Sequence, residues 1–161
     1  MAKHLQIVVF ALGKELYGVG IDSVQEIVRV PELTEVPDAP EYLIGVINLR
    51  GKVLPVIDLR KRLRLKSSQK SKSTRVLITD VDESIVGLMV DSVAEVRKIQ
   101  PESIEAPPEM IAAVGIEYIT GVVKLEEKLI ILLNLKKVLS IEDLKKAGQA
   151  VAEIEHEALA A

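Results

Sequence analysis

The segment YLIGVINLRGKVLPVIDLRKRL, residues 42–63, places two aliphatic runs on either side of Arg50 and Gly51. Val and Ile are frequent in both runs, and β-branched side chains favour strands. Gly51 can adopt positive φ, which suits a hairpin tip that presents Arg50 outwards. Gly45 within the first run predicts a bulge or a close backbone approach, and Pro55 within the second predicts an edge or bulged strand. The segment therefore predicts a β hairpin.

A related segment, YITGVVKLEEKLIILLNLKKVL, occupies residues 118–139. Eight of its twenty-two positions are identical to the first segment, and most other pairs exchange one aliphatic residue for another. Two upstream segments, residues 6–30 and 75–99, also align and share Gly, Asp, Ser, Val and Glu positions. A connector rich in proline and acidic residues follows each of them. This order predicts an internal duplication, with copies at about residues 6–63 and 75–139.

Each copy is predicted to contain five short strands, a number and length typical of a small barrel. The predicted strands are Gln6–Ala11, Leu16–Ile21, Glu26–Val30, Ile44–Leu49 and Val53–Leu59, then Arg75–Asp80, Ile85–Val90, Glu95–Ile99, Thr120–Leu125 and Leu129–Leu135. The polar stretch at residues 66–73 predicts a flexible linker between the copies. Ser140 is a predicted N-cap, with Asp143 three residues later. Apolar residues then recur at helical spacing and predict a C-terminal helix at about 141–158.

Composition excludes several classes of function. The 161 residues carry a formal net charge of −3 and include no cysteine, which removes disulfides, thiolate nucleophiles and Cys-ligated metals. The two histidines, His4 and His156, lie near opposite ends of the chain. We therefore expect no enzyme activity, no cofactor and no metal site. No apolar run is long enough to cross a membrane and no secretory signal is present, so we expect a cytoplasmic protein without membrane insertion.

One basic stretch leaves an alternative function open. From Arg60 to Arg75 there are eight Lys or Arg residues and no acidic residue. The stretch predicts either a patch that binds nucleic acid or an acidic partner, or a solvated linker. Small barrels that bind single strands use aromatic stacking, and this chain has only four aromatic residues. A solvated linker is therefore favoured, and the alternative is a nucleic-acid-binding double barrel.

The tips of the two predicted hairpins carry opposite charge. The first tip is Asn48-Leu49-Arg50-Gly51, and the corresponding residues in the second copy are Lys124-Leu125-Glu126-Glu127. A purely structural turn does not require an arginine. The difference therefore indicates different surface roles for the two copies, although an ordinary solvated turn also accommodates Arg50.

The segment from Tyr42 to Arg60 resembles the bacterial chemotaxis coupling family CheW. The resemblance lies in Gly-Val-x-Asn-Leu-Arg-Gly, followed by a β run that contains proline and ends in Asp-Leu-Arg. Three further matches follow the family's order: Tyr17–Asp22 with Val24–Ile27, Gly87–Val93 and Tyr118–Gly121. Together they cover roughly residues 5 to 145.

The resemblance implies an all-β fold, with two five-stranded SH3-like β barrels related by internal duplication around a shared core, plus the C-terminal helix. The whole chain, 1–161, would form a single CheW-like domain, monomeric when free. It implies a non-catalytic adaptor that couples chemoreceptors to the histidine kinase CheA. The implied partners are the regulatory domain of CheA and the cytoplasmic tip of methyl-accepting chemoreceptors, with no nucleic acid.

The resemblance also implies two sets of binding residues. Val24, Glu26 and Gly45 match the family's kinase-facing surface. Arg50, Val93 and Val96 match its receptor-facing surface. Each residue also has a structural interpretation: the valines as core residues, Gly45 as relief of crowding within a strand, and Arg50 as an internal brace of the hairpin.

Overall fold

The computed structural model describes residues 5–66, 70–106 and 118–160. The described residues form eleven strands and three α-helices. The strands are β1 (Leu5–Leu12), β2 (Glu15–Gly20), β3 (Val24–Arg29), β4 (Leu43–Leu49), β5 (Lys52–Asp58), β6 (Arg75–Val81), β7 (Ser84–Val90), β8 (Ser92–Ile99), β9 (Ile104–Glu105), β10 (Ile119–Leu125) and β11 (Lys128–Leu133). The helices are α1 (Leu59–Arg62), α2 (Leu135–Val138) and α3 (Ile141–Ala160).

The strands form two mixed sheets that exchange elements between the two copies. One sheet has the order β8-β1-β2-β11-β10-β9, and the other has the order β3-β6-β7-β5-β4. All pairings are antiparallel except β2 with β11 and β5 with β7. The six-stranded sheet thus combines β1 and β2 of the first predicted copy with β8 to β11 of the second, and the five-stranded sheet combines β6 and β7 of the second copy with β3 to β5 of the first. Neither copy could form a complete sheet alone, so the halves are interdependent.

A shared apolar core joins the two sheets. Phe10 and Tyr17 enter it from the six-stranded sheet, with ring centroids 6.0 Å apart. Ile57, Leu77 and Leu88 enter it from the five-stranded sheet and are completely buried. Aliphatic side chains dominate this core because alternate positions of every central strand face inwards. The predicted shared core is confirmed.

The glycines inside strand patterns mark irregular pairing, as predicted. The β4–β5 register shifts between Leu43 and Gly45, and the β10–β11 register shifts between Ile119 and Gly121. A Cβ atom on Gly45 would lie 2.6 Å from the carbonyl oxygen of Thr34. The connector between β3 and β4 therefore lies directly against the β4 backbone, where only glycine fits.

Two of the predicted strands extend into residues that form an α-helix. Leu59 begins α1, and Leu135 begins α2. The preceding side chains cause the change: Asp58 accepts hydrogen bonds from the N–H groups of Arg60 and Lys61, and Asn134 accepts one from Lys136. Such Asx caps start a helix in place of a continued strand.

The predicted edge position of the Pro55 strand was wrong. β5 lies between β4 and β7 in the five-stranded sheet. The parallel pairing with β7 begins at Val56, one residue after the proline. The missing N–H of Pro55 therefore falls outside that ladder, and the sheet accommodates the residue without a break. The register shift of this hairpin lies on β4, opposite Val56 and Ile57.

Helix α3 is anchored at its start by a buried carboxylate. Asp143 accepts from the Ser140 N–H at 2.9 Å, and the Asp143 N–H donates to Ser140 Oγ at 3.1 Å, which confirms the predicted cap. The Tyr42 hydroxyl donates to Asp143 Oδ1 at 2.5 Å, and Arg62 Nη2 donates to Asp143 Oδ2 at 3.1 Å. Burial, and then the hydrogen bond to Asp143, raise the pKa of Tyr42 to about 12, so this hydroxyl stays protonated.

We expect Asp143→Asn to loosen α3. Burial acts to raise the pKa of Asp143, but hydrogen bonds from Tyr42 and Ser140 and the charge of Arg62 bring it below its ordinary value. A carboxylate with a lowered pKa stabilises the fold above its ordinary pKa of 3.8, and that contribution is lost as the pH falls through the lowered value. The substitution should lower the free energy of unfolding at neutral pH by about 1–2 kcal/mol.

Urea denaturation from neutral pH down to pH 3 measures both effects. Glu142→Gln is the matched control, because Glu142 is exposed and its ion pair with Lys146 spans 3.6 Å. Equal losses in the two variants at neutral pH would show that Asp143 does not anchor the helix.

Candidate functional site: two strand edges

β3 and β8 each lie at an outer edge of a sheet and occupy the same place in the two copies. An edge strand presents unpaired N–H and C=O groups that another chain can pair with. Each edge also carries the same irregularity. The register against β6 shifts between Val24 and Glu26, and the register against β1 shifts between the partners of Val93 and Glu95. The chain therefore presents two edges of matching shape.

The side chains on the two edges correspond as well. Val24 and Val93 are half-buried and pack against the shared core. Three residues further on, Ile27 and Val96 are 39% and 51% exposed, respectively. Exposed aliphatic residues on an open edge are typical of a surface that binds another protein.

Glu26 and Arg50 form an ion pair. Arg50 Nη1 lies 3.1 Å from Glu26 Oε1, and Arg50 Nη2 contacts Oε2. Arg50 reaches Glu26 from the turn between β4 and β5, where Arg50 and Gly51 have φ values of 50° and 87°. The Asn48 side chain accepts from the Gly51 N–H at 2.9 Å and supports this turn. Arg50 is thus exposed, and its ion pair joins the β4–β5 turn to β3 and is not a brace within the hairpin itself.

The hydrogen bond from Arg50 lowers the pKa of Glu26 below its ordinary value of 4.5. The ion pair is therefore complete above pH 4.5 and is lost only as the pH falls through the lowered pKa. We expect an NMR titration of the Glu26 carboxyl carbon to show a midpoint below 4.5, which returns towards 4.5 in Arg50→Ala. An unchanged midpoint in that variant would contradict the pairing.

The second edge lacks this ion pair. Glu95, which corresponds to Glu26, instead bonds to Arg97 on its own strand at 2.7 Å. Glu126, which corresponds to Arg50, stands at the tip of the β10–β11 turn with a φ of 53°. Two acidic residues cannot form the same bridge. The edges therefore match in shape but differ in charge.

The six residues implied by the resemblance fall on both sheets. Val24, Glu26 and Gly45 belong to the five-stranded sheet, Arg50 lies in its β4–β5 turn, and Val93 and Val96 belong to β8. Arg50 matches the family's receptor-facing surface, but in this structure it contacts Glu26, which matches the kinase-facing surface. Gly45 is buried under the connector, so its side of β4 contacts its own chain.

Two exposed aliphatic residues of these edges were not predicted. Ile27 lies on β3, and Leu5, 43% exposed, lies at the start of β1 beside β8. The repeat alignment contained the signal for Ile27, because it aligns with Val96. Leu5 lies outside the aligned segments.

Several arginines of the basic stretch have intramolecular partners. Arg60 pairs with Asp91, Arg62 pairs with Asp143, and Arg75 donates to the carbonyls of Lys72 and Thr74. These three arginines stabilise the fold and do not form a free basic surface. Residues 67–69 of the predicted linker lie outside the described residues.

Two features are absent from the described part of the chain. No group of three or more His, Asp or Glu residues there could hold a metal ion. No helix in the same residues is long and apolar enough to cross a membrane. What the described surface does offer is a β-rich module with two matching edge strands, β3 and β8, the class of protein that binds other proteins.

The sequence of this chain is similar to those of known proteins of this class. A sequence model of the CheW-like domain matches residues 6–143. Chemotaxis protein CheW of Treponema pallidum is 36% identical over 148 residues, which cover 89% of this chain and 87% of that protein. Chemotaxis protein CheW of Klebsiella aerogenes is 34% identical over 139 residues, 86% of this chain and 84% of that protein.

A solved structure is similar as well. The scaffolding protein TtCheW from Thermoanaerobacter tengcongensis superposes with a TM-score of 0.77 at 40% identity, covering 89% of this chain and 96% of that one. The chain therefore belongs to the CheW-like family. The predicted all-β class with two SH3-like barrels is confirmed, and nothing in the comparisons supports nucleic-acid binding.

Proposed function

We propose that this chain is a non-catalytic adaptor of chemotaxis signal transduction, which couples chemoreceptors to the histidine kinase CheA in the cytoplasm. Family membership supports the chemotaxis role. The observation that carries the adaptor role is the presence of two matching edge strands, β3 and β8, on one shared core. An adaptor must hold two partners at once, and two separate edges allow this.

The kinase is assigned to the edge formed by β3. Val24 and Glu26 lie on that strand, and Gly45 holds the connector that follows it. The regulatory domain of CheA is the proposed partner, pairing strand to strand with the outer side of β3. Ile27 adds an apolar anchor to this edge.

The chemoreceptor tip is assigned to the edge formed by β8, with Val93 and Val96. In this half the turn that corresponds to the Arg50 turn carries Glu126, so the two halves differ in charge. Edges of the same shape and different charge can select different partners, because charge complementarity contributes strongly to specificity. The position of Arg50 beside Glu26 favours its assignment to the kinase edge.

A capture experiment tests the bridging role. An immobilised cytoplasmic receptor fragment should retain CheA from the same organism only when this chain is present. Equal retention of the kinase without the chain would contradict the proposal. Arg50→Glu should weaken capture through its effect on Glu26, and the charge-swapped pair Glu26→Arg with Arg50→Glu should recover part of it. A loss of the same size in both would place Arg50 in direct contact with a partner.

A further inference from the structure

Arg60 directly follows β5 of the five-stranded sheet. Through Asp91 it is connected to Gly13, in the turn between β1 and β2 of the other sheet. Its Nε lies 2.9 and 3.0 Å from the two carboxylate oxygens of Asp91, and its Nη2 lies 2.5 Å from Oδ2. The same Oδ2 accepts from the Gly13 N–H at 2.6 Å, and the Asp91 N–H donates to the Ala11 carbonyl at 3.1 Å. Arg60 also donates to the carbonyl of Lys66. These bonds join both sheets at one place.

This joint is closely packed. The side chains of Arg60 and Asp91 are 13% and 30% exposed, and about 10 Å³ of free space remains beside them. Gly13 has a φ of 64°, and a Cβ atom there would lie 3.0 Å from Arg60 Nη2. A planar guanidinium that meets a carboxylate through two nitrogens fixes direction as well as distance.

The corresponding joint in the other half is open. Lys136 corresponds to Arg60, and it pairs with Asp82 at 3.2 Å through side chains that are 69% and 51% exposed. Asp22, which corresponds to Asp91, makes no ion pair with any residue in the ranges 5–66, 70–106 and 118–160. A cleft of about 430 Å³ lies beside Lys136, lined by Gly20, Ser23 and Val81 among others.

We infer that Arg60 is a positioning residue that sets the angle between the two sheets, and that the sheets move relative to each other at the Lys136 joint. The shared core between them is apolar, and apolar contact is non-directional, so the core resists separation more than it resists small rotation. The contact of two Arg60 nitrogens with the Asp91 carboxylate fixes the relative orientation of the sheets, which the apolar core alone does not fix. Because β3 and β8 lie on different sheets, their relative orientation depends on this angle.

The consequence for signalling rests on the proposed function. Binding at one edge can alter affinity at the other through a change in the angle between the sheets. A fixed pivot at Arg60 and a movable joint at Lys136 would convert such a change into a defined rotation. Without the pivot, each edge would still bind its partner, but the two binding events would become independent.

The test measures the angle directly and needs no partner. Since the chain has no cysteine, Arg29→Cys on β3 and Lys128→Cys on β11 can carry two spin labels, one on each sheet. Both positions are exposed. In this background the distance distribution is compared for the parent, Arg60→Gln and the matched control Lys136→Gln.

We expect Arg60→Gln to broaden or shift the distribution by several ångströms and Lys136→Gln to leave it unchanged. Superimposable distributions in Arg60→Gln and the parent would overturn the inference, as would an equal change in both variants. If Arg60→Gln does not fold, Arg60→Lys keeps the charge, loses the fork and is judged by the same criteria. A negative result here leaves partner binding untouched, so failure of the inference is distinguishable from failure of the proposed function.

Discussion

Gly45→Ala is expected to lower the free energy of unfolding by about 3 kcal/mol, a large loss for one methyl group. Gly45 has a φ of 154°, which side chains rarely adopt, and the added Cβ would lie 2.6 Å from the Thr34 carbonyl oxygen. That oxygen accepts the Val46 N–H at 2.8 Å, and the Thr34 N–H donates back to Val46 at 2.9 Å. The backbone of the connector must therefore shift and lose both bonds.

Gly20→Ala is the matched control for this prediction. Gly20 has an extended backbone with a φ of −60°, and no atom lies within 4 Å of the place that an added Cβ would occupy. Its substitution should change stability by less than about 0.5 kcal/mol. Chemical denaturation of both variants decides the matter, and a loss below about 1 kcal/mol in Gly45→Ala would show that the connector yields without cost.

Ile27→Asp and Val96→Asp are each expected to weaken binding of one partner by about thirtyfold or more, equivalent to about 2 kcal/mol. Each change places a charge at the centre of a proposed apolar contact, where it would lose its hydration. Ile27→Asp should affect the kinase domain, and Val96→Asp should affect the receptor fragment. Because both side chains are well exposed, the fold itself should remain stable.

Leu129→Asp is the control for these two variants. Leu129 is 49% exposed, but it lies on β11, which is paired on both sides within its sheet. This variant should therefore bind both partners with the affinity of the parent. Titration calorimetry of all three variants against each partner gives the answer, and equal losses at Leu129 would show that general surface charge, not the edges, determines binding.

The strands were predictable from the chain because their aliphatic patterns and turn residues are local. Which strand pairs with which was not predictable from the chain. The repeat determined the order of elements within each copy, yet the exchange of strands between copies depends on which edges meet in three dimensions. Pro55 is an example. A residue without a backbone N–H predicts an edge strand, but β7 pairs with β5 from Val56, the residue after the proline.

The same difference between local patterns and tertiary contacts applies to the site residues. The resemblance, not periodicity, singled out Val24, Val93 and Val96, and these residues lie on β3 and β8. The bond between Glu26 and Arg50 joins β3 to the β4–β5 turn, and the bond between Tyr42 and Asp143 joins residues 101 positions apart. Such contacts depend on tertiary packing, for which a single sequence gives no pattern.

The most direct test of the adaptor function is a calorimetric titration of this chain with the isolated regulatory domain of CheA from the same organism, alongside Ile27→Asp and Leu129→Asp. We predict saturable binding by the parent and by Leu129→Asp, and strongly weakened binding by Ile27→Asp. Absence of binding by the folded parent would contradict the coupling of this chain to the kinase, and equal binding by all three would contradict its location on β3.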